Sequence, residues 1–586
     1  MRVDWLPIIN TLRGYTLPVF RADLCAGLNV ALLAFPQGIT YAVVAGLPVQ
    51  YGLYGSGVAS VLGAFFSKSR VMILGPTNAP SVLLISSFAA LGISEAAQMS
   101  LMPLLLLMVG VFLLVGAYMR LADLTQYLSQ SVLTGYVTAA AALIIANQVK
   151  YWLGLDFTEQ GSTLFDMCRL TFTHFTEVHW PSVLLGLLSL ALYILLQRYY
   201  PQLPNVAITL VILTLIAHSL RQLDVPMGEE HFIKPVSTEG TLLTLPQLDF
   251  DAIRRLADTA LAVALLCLLE GISVGRSMAA RTGMRLNPNQ EMRVLGIANI
   301  GCGLLSGMPA SGSLTRSNLN LQSGAATPLA SLYNGVICLI GTCTLSGLIG
   351  YIPKAALATL VMAIGLSLVN WHSIRIVTRA TRSDGIVFFS TLISGFLLPL
   401  TTAIFLGIGL SIALFLRKAR MPEMIEYQFN DEGQLTELTE STQRADPQIS
   451  IVHLEGALFF GAAELFREQM RRICEEPNLK VIILKMRNAH HLDATSILAL
   501  EELISYIKEH DRILLVSEAR KDVIRIFKKS GLLEQLSRKN VFADISTNPT
   551  ASTAKALKRA ETFLRGEKAQ VRIYVKDTQA QSEPTG

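Results

Sequence analysis

Apolar runs long enough to cross a bilayer recur from about residue 24 to about residue 418 of this chain. No soluble core can absorb so many. The whole chain is 52% hydrophobic and only 16% charged, too apolar for a soluble protein of ordinary composition. Its start, "MRVDWLPIINTLRGYTLPVFRADL", lacks a compact apolar core followed by a small-residue cleavage site. The first apolar run is therefore expected to stay in place as a helix.

Polar breaks divide the apolar part into fourteen expected spans, near 24–44, 52–67, 76–91, 101–119, 129–149, 181–197, 205–220, 256–275, 289–306, 312–325, 328–349, 354–370, 385–399 and 401–417. Two of them are too short to cross as complete helices. With the N-terminus in the cytoplasm, the inner loops include "SKSR" (67–70), "GRSMAARTGMR" (275–285), "RIVTRATR" (375–382) and "RKAR" (417–420). Inner segments then hold roughly 17 Lys and Arg and outer segments roughly 7, the bias expected of cytoplasmic loops. The net charge of +5 is accounted for in this way and needs no nucleic-acid partner. An even number of spans puts the C-terminal part in the cytoplasm as well. The seven cysteines are scattered, with neither CxxC nor zinc spacing. Cys25, Cys267, Cys302, Cys338 and Cys343 lie in apolar segments and read as small buried hydrophobes.

Two expected spans are interrupted. "ILGPTNAPSVLL" (73–84) falls in the third and "MPASGSLTRSNLN" (308–320) in the tenth. Irregular backbone at membrane depth must line a cavity or be buried in protein, because hydrocarbon offers no hydrogen bonds. The two breaks lie seven spans apart, at equivalent places in two halves of seven. Matching Gly/Pro-broken segments of this kind point to an inverted-repeat transporter and to its binding site. A half-helix that starts at mid-membrane presents unpaired N–H groups and a positive dipole end. Two such ends facing one another make a place for an anion. Thr77, Asn78, Ser313, Thr315 and Ser317 can add side-chain donors, and Arg316 adds a fixed positive charge that needs a purpose or a partner in a membrane. The alternative is a pair of proline kinks with hydroxyls bonded back to their own helices.

Glu270, in "LADTALAVALLCLLEGISVGRSMAARTG" (256–283), is the other anomaly. A carboxyl late in an apolar span can bind and release a proton near neutral pH. It can equally form a permanent ion pair with Arg316, or sit hydrated at the cytoplasmic mouth.

These residues carry a resemblance. "PQGITYAVVAGLPVQYGLYGS" (36–56), "SRVMILGPTNAPSVLL" (69–84), "LLEGISVGRSMAARTG" (268–283) and "SGSLTRSNLN" (311–320) resemble, in that order, four motifs of the sulfate permease (SulP) family of anion transporters. The resemblance covers nearly the whole chain. It implies an α-helical polytopic membrane fold of fourteen spans in two inverted seven-span repeats. It also implies a core of spans 1–4 and 8–11 and a gate made of the rest. It implies that Gln37 and Tyr41 face the anion beside Thr77, Asn78 and the segment Ser313, Leu314, Thr315 and Arg316, with Glu270 at the acidic position of span 8. For Gln37 an interhelical hydrogen bond is the alternative, and for Tyr41 plain packing. Some family members that use sodium have Asp where this chain has Glu270, which favours protons here. Asn78 stands where many members have a small apolar residue, a departure that bears on which anion fits.

Beyond about residue 421 the composition becomes that of a soluble protein. The expected organisation is a transmembrane domain at 1–418, a linker at 419–447, a small α/β domain at 448–547 and a tail at 548–586 whose end, "DTQAQSEPTG", is disordered. Strand patterns such as "VIILKM" (481–486) and "RILLVS" (512–517) alternate with helix patterns such as "DATSILALEELISYIKEH" (493–510). The "LDATSILAL" segment resembles the loop-helix of STAS domains. In the regulators related to those domains, a Ser or Thr just after this loop can be phosphorylated. Thr495 and Ser496 stand there, and helix capping is the alternative. No nucleotide-binding glycine loop, catalytic triad spacing or cofactor motif is present, so no enzyme activity is expected. The domain reads as a regulatory, folding or dimerisation module, and a homodimer is expected.

The resulting expectation is a secondary active anion transporter of the plasma (bacterial inner) membrane, taking up sulfate or a similar oxyanion with protons. A bicarbonate or dicarboxylate carrier, with sodium possible, and a passive channel or exchanger are the alternatives.

Overall fold

The protein is represented by a computed structural model. It describes residues 7–12, 14–127, 129–155, 161, 163–200, 205–222, 228–233, 243–419, 423–429, 435–437, 448–458, 460–490, 492–545 and 551–564. The chain forms two compact units, Met1–Ile412 and Ala413–Gly586. The expected tail end, "DTQAQSEPTG", lies outside the described residues.

Helices stand at each of the fourteen expected spans. In chain order, spans 1 to 7 are Leu17–Val44, Val49–Phe66, Asn78–Ala90, Glu95–Tyr118, Gln130–Leu153, Trp180–Tyr199 and Asn205–Gln222. Spans 8 to 14 are Phe250–Thr282, Pro288–Leu304, Leu314–Gln322, Leu329–Ile349, Lys354–Leu368, Arg382–Leu397 and Leu400–Ala419. Among the described residues, eight helices are long and apolar enough to cross a membrane alone. The short ones depend on their neighbours. Span 10 has 9 residues and is therefore about 13 Å long, less than half of a ~30 Å hydrocarbon layer.

Small residues allow the close packing that brings span 1 to the centre. A Cβ on Gly52 of span 2 would collide with the carbonyl of Gly38 on span 1. Backbones approach this closely in membranes where glycine leaves room, because dispersion rather than water exclusion holds the helices together. Pro36 interrupts span 1 internally, and the Thr40 hydroxyl donates to its carbonyl at 2.9 Å.

Two helices lie where the sequence reading had loops. Leu164–Thr173 starts at a complete capping box formed by Thr163 and Asp166. Trp371–Ala380 starts at Asn370, whose side chain accepts from the Ser373 N–H at 3.0 Å. Its arginines had marked it as a cytoplasmic loop. Two of the five cysteines expected to be buried are not. Cys267, Cys302 and Cys338 are buried, but Cys25 and Cys343 are exposed. They sit on outward faces of their helices, where hydrocarbon accepts an apolar thiol without any need for protein cover.

The second unit is built on a six-stranded sheet of order β4-β3-β5-β6-β7-β8. Its strands are β3 (Glu423–Phe429), β4 (Leu435–Glu437), β5 (Ile449–Ala457), β6 (Val481–His490), β7 (Ile513–Ala519) and β8 (Val541–Ala543). The expected linker at 419–447 thus contains two strands. β3 pairs antiparallel with β5 from Glu423↔Glu455 to Tyr427↔Ile451. The short alternating run "EMIEYQF" was masked by the polar residues around it. One sheet face packs Val452, Leu484 and Val516 against the helices that carry Phe466, Leu503 and Phe527. The other packs Ile451, Ile483 and Leu515 against Ala556, Leu557 and Ala560 of helix Ala551–Phe563. That helix begins in the stretch expected as tail, and it covers a face that would otherwise expose core.

Candidate functional site

The two breaks meet. Leu74–Gly75 (β1), just before span 3, pairs antiparallel with Ser311–Gly312 (β2), just before span 10, in the register Leu74↔Gly312 and Gly75↔Ser311. Each segment thereby satisfies backbone groups of the extended residues that precede the other's helix. The Ser313 N–H extends the ladder to the Ile73 carbonyl at 3.0 Å, and the Ser317 hydroxyl accepts from the Ile73 N–H at 3.0 Å. From this two-stranded link, span 3 and span 10 both start as helices, with their N-terminal ends at the junction.

Several polar side chains fix the link, and none of them was singled out by sequence reasoning. Asn299 of span 9 holds Ala310 from both sides, accepting its N–H at 3.0 Å and donating to its carbonyl at 2.9 Å. The Ser60 hydroxyl donates to the Leu74 carbonyl at 2.9 Å and accepts from Asn334 at 2.8 Å. The Tyr136 hydroxyl of span 5 reaches the Ala79 carbonyl at 3.2 Å. The signal that could have found Asn299 and Asn334 is plain. Each is an amide in an apolar span, and a buried amide needs partners.

Arg316 lies at the centre. It is fully buried, and its Nη2 donates to the Pro76 carbonyl. Its Nε and Nη1 have no hydrogen-bond partner among the described residues. Gly75 makes room for it, since a Cβ there would run into the guanidinium. Ser313 caps span 10, accepting the Arg316 N–H at 3.4 Å.

Glu270, on the 33-residue helix of span 8, accepts a 2.6 Å hydrogen bond from the Thr77 hydroxyl. It forms no ion pair with Arg316, so that alternative is set aside. The two charged residues hold neighbouring positions of one strand–helix corner, Arg316 at Pro76 and Glu270 at Thr77. Thr77 is the N-cap of span 3 by position, but its side chain makes no cap bond because it is engaged with Glu270. Ser311 ties the same helix to the second break, donating to the Cys267 carbonyl at 2.9 Å. Span 8 thus holds both junctions.

The other expected residues divide. Gln37 is buried, and its Oε1 has no hydrogen-bond partner among the described residues. Tyr41, one turn further along span 1 and buried, lies within electrostatic reach of both Glu270 and Arg316. Asn78 opens span 3 and is half-buried. The side chains of Leu314 and Thr315 are exposed, so their contribution to the junction is backbone N–H. Ser317 and Ser313 were expected as donors to a ligand. Their oxygens accept backbone N–H groups, and each hydroxyl keeps its own O–H to donate. Beside span 8 a cavity of about 270 Å³ is lined by Ser129, Gln130, Leu269, Ser273 and Arg276 among others. It lies between span 8 and spans 5 and 14.

Corresponding Gly/Pro breaks joined by a short ladder, with a buried arginine and a carboxylate at the joint, belong to an inverted-repeat transporter rather than to a receptor or an enzyme. The sequence model of the Sulfate permease family matches residues 20–391, and that of the STAS domain matches 441–548. The chain belongs to the sulfate permease family. A probable sulfate transporter of Mycobacterium tuberculosis is 26% identical over 558 residues, covering 93% of this chain and 97% of its own length. The structure of the murine Solute Carrier 26 family member A9 anion transporter in the inward-facing state superposes with a TM-score of 0.84 at 20% identity, over 95% of this chain and 94% of that one. The transmembrane domain of the cyanobacterial bicarbonate transporter BicA superposes with a TM-score of 0.59 at 20% identity, over 66% of this chain and 98% of that domain. The fold of this family member is therefore that of fourteen spans in two inverted repeats followed by a STAS domain, and the protein is a multi-pass integral membrane protein of a transporter family.

In the STAS domain Ser496 is fully buried. Its hydroxyl lies 2.7 Å from both the Leu458 carbonyl and the Asp493 carboxylate. Asp493 caps the helix Ala494–Glu509, accepting the Ser496 N–H at 2.9 Å. Of the two hydroxyls singled out for phosphorylation, only that of Thr495 is exposed.

Proposed function

We propose that this protein is a proton-coupled transporter that takes up sulfate or a similar tetrahedral oxyanion across the plasma membrane, the inner membrane of a bacterium, with both termini in the cytoplasm. The observation that carries the reading is the buried Arg316, with Nε and Nη1 unpartnered, between two helix N-termini. A buried cation without a counter-charge is costly, and a bound anion offsets that cost. The anion takes charge-assisted hydrogen bonds from Arg316, backbone N–H from Asn78 and Ala79 on one side and from Leu314 and Thr315 on the other, and the Gln37 amide and Tyr41 hydroxyl from span 1.

Glu270 supplies the coupling. Its carboxylate occupies the Thr77 hydroxyl and places negative charge beside the anion site. Protonation removes that charge and lets Thr77 turn its hydroxyl toward the anion. Proton and anion then favour each other's binding by the same factor. Release on the other side proceeds past Arg276 and the adjoining cavity as the core moves against the gate. The STAS domain acts as a regulatory or dimerisation module, and the working unit is a homodimer.

The test is Glu270→Gln in liposomes. The variant should bind sulfate and exchange it, yet lose accumulation driven by an inward proton gradient. Unaltered accumulation would sink the role of Glu270. The likeness to BicA supports a second reading, bicarbonate as the substrate. Uptake of labelled bicarbonate but not sulfate in the same liposomes, with or without sodium, would select it.

A further inference from the structure

A second cavity, of about 740 Å³, lies between spans 1, 7 and 11, and its floor at Cys338 comes within electrostatic reach of Arg316. On span 1 it is lined by Leu28, Leu32, Phe35 and Ile39, which recur at helical spacing on one face. Gln37 and Tyr41 are on a different face of the same helix. Span 7 contributes from Ala207 to His218, a length of about 16 Å at 1.5 Å per residue. One leaflet of a ~30 Å hydrocarbon layer has nearly that depth.

The rim of this cavity is apolar and open. Leu32, Val211, Leu215 and Leu348 are each more than half exposed. Within a membrane such an opening faces hydrocarbon and not water. The floor is deep, with Ile39 at 2% and Cys338 at 1% exposure. Only one end is polar. There His218 stands edge-on to Tyr351, with ring centroids 5.8 Å apart. Arg221 follows one turn later on span 7, 3.6 Å from Glu229. An apolar groove one leaflet long, with a tyrosine at its end and, beyond the lining, Arg221 in an exposed pair with Glu229 that is weak enough to exchange, matches an amphiphile with an anionic head.

We propose that this groove is a binding site for one acyl chain of a membrane phospholipid, whose phosphate lies at Arg221 and His218. Spans 1 and 11 belong to the core and span 7 to the gate, so the chain fills the seam along which the two slide. Occupancy is thereby linked to the position of span 1, the helix that also carries Gln37 and Tyr41.

The experiment uses the full-length protein in nanodiscs containing phosphatidylglycerol with a diazirine midway along one acyl chain. After illumination, peptides are mapped by mass spectrometry. Labelling of the groove floor at Phe35, Ile39 and Cys338 should exceed, severalfold, labelling of the bilayer-facing Leu187 and Leu188 of span 6. Val211→Trp, a rim substitution that can place an indole in the groove, should remove the floor label. Its thermal midpoint and chromatographic profile establish that it is folded. Arg221→Gln should lower the floor label without raising that of span 6. Even labelling of floor and span 6 in the wild type would overturn the proposal. So would an undiminished floor label in folded Val211→Trp.

Discussion

At the start of span 3 the capping residue, Thr77, directs its hydroxyl away from its own helix and onto Glu270, 2.6 Å away. At the start of span 10 the equivalent residue, Ser313, caps its own helix through the Arg316 N–H. The two junctions are related by the repeat and joined by one ladder, yet one is tied to a carboxylate and the other contains the arginine. The backbone device is duplicated while the charges are divided between the halves. Under the proposed function, the duplicated backbone offers two helix ends to the anion, while the unequal chemistry assigns the proton to one end and the anion's charge to the other.

Removing the charge from the span 10 side should have the largest effect. In Arg316→Gln the proposed anion site loses its guanidinium. Hydrogen bonds to charged groups are worth about 1.5–3 kcal/mol, so sulfate affinity should fall by roughly 10- to 100-fold. Calorimetric titration of the purified protein measures it. Arg316→Lys should restore little, because an ammonium cannot replace a planar fork that already donates to the Pro76 carbonyl. Full affinity in Arg316→Gln would mean that the anion sits elsewhere.

The glycines of the ladder give the next test. A methyl on Gly75 would meet the Arg316 guanidinium, whereas one on Gly312 would first meet the Cε of Met72 at 2.8 Å. A methionine end can move aside, but the guanidinium is held by Pro76. Overpacking of a tight site costs about 1–3 kcal/mol. Gly75→Ala should therefore lower both thermal stability and sulfate affinity, while Gly312→Ala lowers stability less and spares affinity. Equal losses of affinity in the two variants would make the Arg316 placement unimportant.

How much of this was legible beforehand follows from what each feature depends on. Pro76 and Pro309 stand in apolar runs, so both breaks and their sevenfold offset were readable from the chain alone, as was the misfit of Arg316 and Glu270 in hydrocarbon. Which group each charge touches was not. Arg316 and Glu270 look like a pair by charge, yet 46 residues and two helix faces separate them, and only the fold shows that they hold Pro76 and Thr77 instead. Asn299 and Asn334 gave a signal of the same kind as Glu270, an amide in an apolar span, but a neutral group is a weaker warning. Strands Glu423–Phe429 and Leu435–Glu437 were hidden for a different reason. Their pattern is short, and the sheet that stabilises them is completed by residues further along the chain.

Thr77→Val probes the proton side of the comparison. The substitution keeps shape and removes the donor to Glu270. Sulfate exchange at a fixed pH should persist, and the pH profile of gradient-driven accumulation should shift, as followed in liposomes across a pH series. A profile that coincides with the wild type would detach Thr77 from the coupling step.

Ser313→Ala is the smallest change and sharpens the comparison most. An N-cap substitution of this kind costs ~1 kcal/mol, and the bond removed is long, at 3.4 Å. The loss leaves the Arg316 N–H without its acceptor at a fully buried residue. A sulfate oxygen at the N-terminus of span 10 can accept that N–H in place of the serine. The thermal midpoint should therefore fall in the absence of anion and recover part of the loss in saturating sulfate, so that sulfate stabilises Ser313→Ala by more than it stabilises the wild type. No such extra gain is expected for Thr77→Val, where the lost bond served Glu270 and not the helix end. If sulfate shifts the midpoint of Ser313→Ala and of the wild type equally, the end of span 10 does not face the anion, and the division of labour between the two junctions is wrong.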